Sequence, residues 1–215
     1  VTGTYGVLST LFSILEKETY DSVLPVYDAG GNFRKKESEE YKADRGPTDD
    51  SFKSDFTLLK DELLFYLGFN PVGIKGYEAD DVIAVLAARF SAHADVLILS
   101  SDKDFGQLQK YKNVSQYSPI LKRFIKIDDP SLFIKEHIIR GDRGDGIPNF
   151  LSADDTFATG ERQKVINSKR LKEWLEQDVE TFCTNDTMLR GYKRNQTLVD
   201  FDYIPQDIQK NIVTA

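Results

Sequence analysis

At 215 residues, with 40% hydrophobic and 29% charged side chains, the chain is long enough for one well-filled core and a small helical region. A single cysteine, Cys183, excludes an intramolecular disulfide framework and suits a reducing cytosol, and no apolar run approaches the roughly 20 residues of a membrane span. The net charge of −7 argues against a uniformly basic nucleic-acid-binding surface, yet the charges are unevenly spread.

Asp and Glu concentrate in two short motifs. Basic residues gather at Arg34, Lys35, Lys36, Lys42 and Arg45, and again at Arg162, Lys164, Lys169, Arg170 and Lys172. Glu37, Glu39, Glu40 and Asp44 interleave the first group, so charge pattern alone leaves a solvated mixed-charge face and a phosphate-binding face equally open. The sequence opens on Val1, and its only methionine is Met188, the expectation for a processed, trimmed or partial chain.

In chain order, residues 4–17 read as a helix with Leu8, Leu11, Phe12 and Leu15 on one face. Val23 to Asp28 reads as a short strand ending in an acid. Residues 29–50 are polar, glycine-containing and charged, a mobile or partly helical excursion. Phe52, Phe56, Leu59, Leu63 and Leu67 recur at helical spacing and predict an amphipathic helix over 51–67. Val72 to Ile74 reads as a short strand, 78–91 as a helix, and Val96 to Ser100 as a buried strand of the kind found in parallel sheets. From Asp129 the character changes: Asp129-Pro130 opens a helix carrying Leu132, Phe133, Glu136 and Ile139. The Gly141–Asn149 stretch is then a tight turn, and a helix follows at 169–182 around Trp174. Strands alternating with helices predict an α/β fold with a mainly parallel sheet.

Two acidic motifs sit at the ends of these elements, Glu78-Ala79-Asp80-Asp81 at a helix start and Asp102-Lys103-Asp104 after a strand. Acids at a helix start can simply cap it, and an acidic strand end can be a polar turn. Together with Asp28, however, they place carboxylates outside the carboxyl ends of the strands, where open α/β sheets bind ligands. Oxygen donors with no His or Cys in the motifs suit Mg²⁺ or Mn²⁺ rather than zinc.

The ordered motifs YDAGGNFRKKESEEYKADR, GYEADDVIA, SSDKDFGQL and GDRGDGIPN resemble the 5′ nuclease family: flap endonucleases, phage 5′→3′ exonucleases and the 5′ nuclease domain of bacterial DNA polymerase I. FRKKE, EYKADR and GDGIPNFLS are most similar to the T-even-phage type of ribonuclease H. The resemblance implies a PIN-like nuclease core at 1–128, with 29–50 as an arch over the site. It also implies a helix–three-turn–helix DNA-binding region at 129–215.

By the same resemblance, Asp28, Glu78, Asp80, Asp81, Asp102 and Asp104 would form the main metal cluster, with Asp142 and Asp145 reaching a second ion. The ions would be two Mg²⁺, with Mn²⁺ as substitute. Lys42 and Arg45 would contact the scissile phosphate. Arg34, Tyr41, Gly141, Arg143, Gly144, Gly146, Ile147 and Asn149 would bind DNA, with K⁺ held by carbonyls of the 141–149 turn. The implied activity is hydrolysis at 5′ ends of DNA, or of RNA in RNA–DNA duplexes, and at 5′ flaps, as in primer removal. Implied partners are DNA, RNA–DNA hybrid, and a single-stranded-DNA-binding protein or sliding clamp. The chain would be a monomer in the cytoplasm, that of an infected bacterium if phage-encoded.

The family opens on a strand bearing a metal-binding Asp, whereas this sequence opens in the first helix, and it also ends early relative to phage relatives. The alternative expectation is therefore an impaired homologue that binds branched or duplex DNA without cleaving it. A toxin-like PIN ribonuclease would share the acidic core but lack the GDRGDGIPN turn.

Overall fold

Continuous apolar runs set the strands, and amphipathic ones set the helices around them. The computed structural model describes residues 2–43, 45–46 and 48–215; Asp44 and Pro47, inside the expected arch, lie outside the described residues. The main elements begin with α1 (Thr2–Leu15), α2 (Arg34–Glu37) and α3 (Asp50–Leu58), the last followed by a π-helical turn (Leu59–Leu63) running into α4 (Leu64–Tyr66). Next come α5 (Ala79–Phe90), β1 (Val96–Leu99), a 3₁₀ segment (Lys103–Lys110), β2 (Val114–Ser118) and β3 (Arg123–Ile125). The C-terminal part is helical: α6 (Pro130–Arg140), α7 (Ser168–Leu175), α8 (Val179–Phe182), α9 (Asp186–Val199) and α10 (Gln206–Thr214).

The fold is α/β, as the alternation of elements requires. The sheet is small, ordered β1-β2-β3. β1 runs parallel to β2, with Val96 opposite Val114, and β2 runs antiparallel to β3, with Gln116 opposite Ile125. Parallel pairing turns the carboxyl ends of β1 and β2 to one edge, where Ser100–Asp104 lies. The two expected strands at 23–28 and 72–74 reduce to one parallel bridge, Val26 to Val72. Asp28 turns away from that bridge to receive the Ala79 N–H at the start of α5.

The predicted helix at 51–67 is present but interrupted. A π turn inserts one extra residue, which rotates the following side chains by about 100° relative to those before it. Leu59 and Leu64 are buried, while Phe52 and Leu67 at the ends of the expected stripe are exposed. The helix predicted at 169–182 breaks after Leu175. Lys135 Nζ donates to the carbonyls of Leu175 (2.9 Å) and Gln177, satisfying helix-end acceptors from outside the segment.

Two apolar cores result. The first gathers Val82, Ala84 and Ala87 of α5, Ile98 of β1, Phe105, Leu108 and Val114, and it is completed by Phe201, Ile204, Ile208 and Ile212 from the chain's end. The second is aromatic: Phe150, Trp174, Phe182 and Tyr192 pack edge to face or tilted, with Ile138, Ile139 and Leu198 around them. Tyr41 joins this second core, and α10 returns to the first, so neither core stops at residue 128.

Candidate active site

The first acidic motif is built on the start of α5. Glu78 and Asp81 form a reciprocal capping box, each carboxylate accepting the other's backbone N–H. Asp28 Oδ1 accepts the next free amide, Ala79 N–H, at 2.6 Å. Capping is therefore real for Glu78 and Asp81, but it does not account for Asp80. Asp80 is pushed up to about 7 by burial and by Asp102, against the pull of Lys42, with Glu78 and Asp28 adding to the rise. Asp102, Glu78 and Asp28 are thus all close enough to Asp80 to act on its carboxyl. Among the described residues, no basic side chain lies within ion-pair distance of Asp28, Asp80 or Asp102.

Asp81, expected among the metal ligands, is fully buried and engaged: Oδ2 accepts Glu78 N–H at 3.1 Å, and Oδ1 lies 2.7 Å from Arg34 Nη1. Arg34 and Tyr41, expected to contact DNA, are also internal, at 2% and 3% exposure. Arg34 Nε donates to Leu198 O (2.8 Å) and Nη1 to Glu78 (3.3 Å). The Tyr41 hydroxyl lies 2.9 Å from Glu78 and 3.2 Å from Asp145. Burial, with Glu78 alongside, pushes the Tyr41 hydroxyl well up, so it stays a neutral donor. Neither side chain has surface to offer a phosphate; both position Glu78.

Lys42 and Arg45 do reach the site. Lys42 Nζ donates to Glu78 Oε1 at 2.5 Å and lies 3.6 Å from Asp145, while Arg45 Nη2 donates to Asp145 at 2.7 Å. Backbone contacts fix this segment to the Gly-rich turn: Lys42 N–H donates to Asp145 O (2.8 Å).

The second cluster joins the loop after β1 to the turn after α6. Asp102 caps the 3₁₀ segment, its Oδ1 accepting Asp104 N–H at 2.9 Å. Gln116 on β2 braces that loop by donating to the carbonyls of Ser100 (2.9 Å) and Asp102 (2.6 Å). Asp104 is pushed up to about 6 by burial, against the nearby His137 and with Asp102 adding to the rise. His137 lies between two carboxylates, Nδ1 3.4 Å from Asp104 Oδ1 and Nε2 3.3 Å from Asp142 Oδ2. Asp142 is held well below the usual carboxylate range by His137, against its own burial, and by Lys103 Nζ at 2.7 Å.

The acidic motifs contain only oxygen donors, and nothing in them points to a nitrogen ligand. The fold places His137 among them, with one ligand atom each from Asp104, His137 and Asp142 within 4.8 Å of one another. His137 is the last of three consecutive polar residues, Lys135-Glu136-His137, between Phe133-Ile134 and Ile138-Ile139 on α6, so no local signal set it apart. Asp104 Oδ1 and both ring nitrogens of His137 are buried without an aligned hydrogen bond. Buried, unpartnered donors of this kind are what a cation would satisfy, so the residues fit divalent ions.

In the Gly141–Asn149 turn, Gly141 has φ +68°, and a β-carbon there would sit 2.4 Å from Ile147 O, so only glycine closes it. Arg143 and Gly144 are exposed at its tip. Ile147 and Asn149, expected to touch DNA, are buried instead. Asn149 is consumed internally: its Nδ2 donates to Lys164 O (2.8 Å), and its Oδ1 accepts from Leu151 N–H (3.1 Å) and Ser152 (3.0 Å). Gly141 and Gly146 are partly covered.

Residues 1–137 match the model of the 5′–3′ exonuclease N-terminal resolvase-like domain, and residues 129–215 match that of the T4 RNase H C-terminal domain. Ribonuclease H of Enterobacteria phage T4 is 36% identical over 199 residues, covering 85% of this chain and 65% of that protein. The 5′–3′ exonuclease of Aquifex aeolicus is 36% identical over 152 residues, covering 69% and 49%, respectively. Thermostable DNA polymerase I of Thermus thermophilus is 40% identical over 110 residues, which is 50% of this chain and 13% of the polymerase. The chain thus spans at most about two thirds of the length of these relatives.

Among solved structures, the T5 D15 protein co-crystallised with metal ions aligns with TM-score 0.67 at 21% identity, covering 99% of this chain and 91% of that one. The T5 D15 flap endonuclease complex with DNA and metal ions gives 0.64 at 22%, covering 98% and 89%. At such identities the likeness speaks for the fold. With the domain match running through both acidic motifs, the chain belongs to the 5′–3′ exonuclease family.

Proposed function

We propose that this protein is a divalent-metal-dependent 5′ nuclease. It would hydrolyse phosphodiester bonds at the 5′ end of DNA, or of RNA paired with DNA, and at 5′ flaps, as in removal of RNA primers. The observation that carries this reading is the acidic neighbourhood at the start of α5: burial first, and then Asp102, Glu78 and Asp28, push Asp80 up to about 7, and ligand atoms of Asp104, His137 and Asp142 lie within 4.8 Å of one another. The names of the relatives, ribonuclease H and 5′–3′ exonuclease, support the substrate class.

Asp28, Asp80 and Asp102 would hold one ion, and Asp104 with Asp142 a second. Carboxylate donors suit Mg²⁺, with Mn²⁺ as substitute. Bound divalent ions supply an activated water and charge stabilisation at the leaving oxygen. The chain's own residues do the rest. Lys42 and Arg45 face the cluster with donors that can exchange carboxylate acceptors for the non-bridging oxygens of a phosphodiester. There they favour the charge that builds during the reaction. When Lys42 leaves, Arg34 and Tyr41 still donate to Glu78 Oε2 and hold the carboxylate in place, while Oε1 gives up its lysine. The exposed backbone at Arg143–Gly144 would meet the duplex through phosphates rather than base edges.

The test is cleavage of a 5′-flap duplex and an RNA–DNA hybrid, each labelled at either end, with and without Mg²⁺. The reading expects products from the 5′ side, only with Mg²⁺, and none from Asp102→Asn, which still binds. Binding without cleavage by the unaltered chain would make it a DNA-binding relative. Cleavage of single-stranded RNA alone would replace the substrate class.

A further inference from the structure

Two consecutive side chains of α9 hold the segment that completes the Gly-rich turn. Arg194 Nη2 donates to the carbonyls of Pro148 (2.9 Å) and Asn149 (3.2 Å), and Nη1 to Ser152 O (3.1 Å) and Asp154 Oδ1 (2.5 Å). Its Nε donates to Asn195 Oδ1 at 2.9 Å. Asn195, wholly buried, donates from Nδ2 to Ile138 O (2.7 Å) and to Pro148 O (2.9 Å). Phe150 O packs so closely on Gly191 that a β-carbon there would lie 2.0 Å away. The carbonyls of residues 148, 149, 150 and 152 therefore all face α9.

Converging peptide carbonyls are the donor set that a K⁺ ion takes. Here a guanidinium with 9% side-chain exposure already stands among them, a permanent charge with a rigid fork of N–H donors. Two carbonyls of the turn, those of Pro148 and Asn149, are thus engaged by Arg194 and Asn195 and do not fit the K⁺ implied for the turn by family resemblance. We propose that Arg194 is the built-in cation of the segment that closes the turn: with Asn195 it fixes residues 148–152, so the conformation of that segment is independent of K⁺. Independence of duplex binding from K⁺ follows too, and that part alone rests on the proposed function.

Hydrogen exchange of the amides of Gly146, Ile147 and Asn149–Ser152 tests this directly. It would be measured in KCl, NaCl and tetramethylammonium chloride at equal ionic strength, with 5′-flap binding followed in parallel in Ca²⁺. The unaltered chain should show the same protection in all three salts. Arg194→Ala should exchange at least about tenfold faster in tetramethylammonium, the equivalent of one charge-assisted hydrogen bond. K⁺, small enough to enter the vacated space, should restore part of that protection. Arg194→Lys keeps one charge without the fork. It should loosen only the turn while β1 and α5 stay protected, which gives a readout even if Arg194→Ala unfolds.

Protection in the unaltered chain that falls several-fold without K⁺ would overturn the proposal. So would an Arg194→Ala turn as protected as the original in tetramethylammonium. If flap binding is absent in every salt while the exchange pattern holds, the proposal stands and the nuclease reading fails.

Discussion

Arg34 and Asp81 form a sealed ion pair, Nη1 to Oδ1 2.7 Å, with side-chain exposures of 3% and 0%. Arg34 also donates to Leu198 O, so the pair ties the acidic start of α5 to the end of α9. Removing one partner leaves an uncompensated buried charge, which costs about 3–5 kcal/mol. Arg34→Met and Asp81→Ala should each lower the unfolding free energy measured in urea by an amount in that range, and the double variant should recover part of the loss. A double variant equal to the sum of the two would show no coupling.

Asp80 should behave in the opposite way. Its half-buried carboxylate is raised first by desolvation and then by Asp102, Glu78 and Asp28. Asp80→Asn removes that repulsion and should stabilise the metal-free protein by about 1 kcal/mol, the trade common at functional sites. It should also abolish most of the stabilisation that Mn²⁺ gives the unaltered chain. Thermal melts with and without Mn²⁺ decide the matter. A less stable metal-free variant would make Asp80 a structural residue.

Lys42 already holds Glu78 at 2.5 Å and lies 3.6 Å from Asp145, so in the free protein it is a bridge within the site. Lys42→Ala should lower the single-turnover cleavage rate by about 10²-fold, the scale of losing one transition-state donor. Flap affinity should change by no more than a few-fold. Equal rates at saturating enzyme would remove Lys42 from the chemical step.

His137 spans Asp104 and Asp142 from α6. A neutral imidazole has one N–H, so it can donate to only one of the two at a time. His137→Ala should leave the first ion in place and weaken the second by about 10–100-fold, the usual effect of losing an orienting residue. Mn²⁺ titration followed by electron paramagnetic resonance counts the ions. Unchanged occupancy of both would assign His137 to packing alone.

The acidic motifs were readable in sequence because their residues are close together and sit where a strand ends or a helix begins. Their partners were not. Arg34 stands in a segment that reads as a polar excursion, and only the docking of α2 against α9 shows that Phe33, Arg34 and Tyr41 are buried. His137 reads as the interior of an amphipathic helix; its meeting with Asp104 depends on how α6 crosses the 3₁₀ segment. The carbonyls left free at the break after Leu175 are met by Lys135, a distant side chain that no local pattern announces. The turn at 141–149 was legible from its glycines, but the burial of Ile147 in the second core and the use of the Asn149 side chain by Lys164, Leu151 and Ser152 depend on the packed fold.

The most direct test of the central claim is anomalous diffraction from crystals grown with Mn²⁺. The account predicts two peaks, one among Asp28, Asp80 and Asp102 and a second at Asp104 and Asp142, beside His137. No peak at the first trio, with Mn²⁺ bound elsewhere or nowhere, would contradict it.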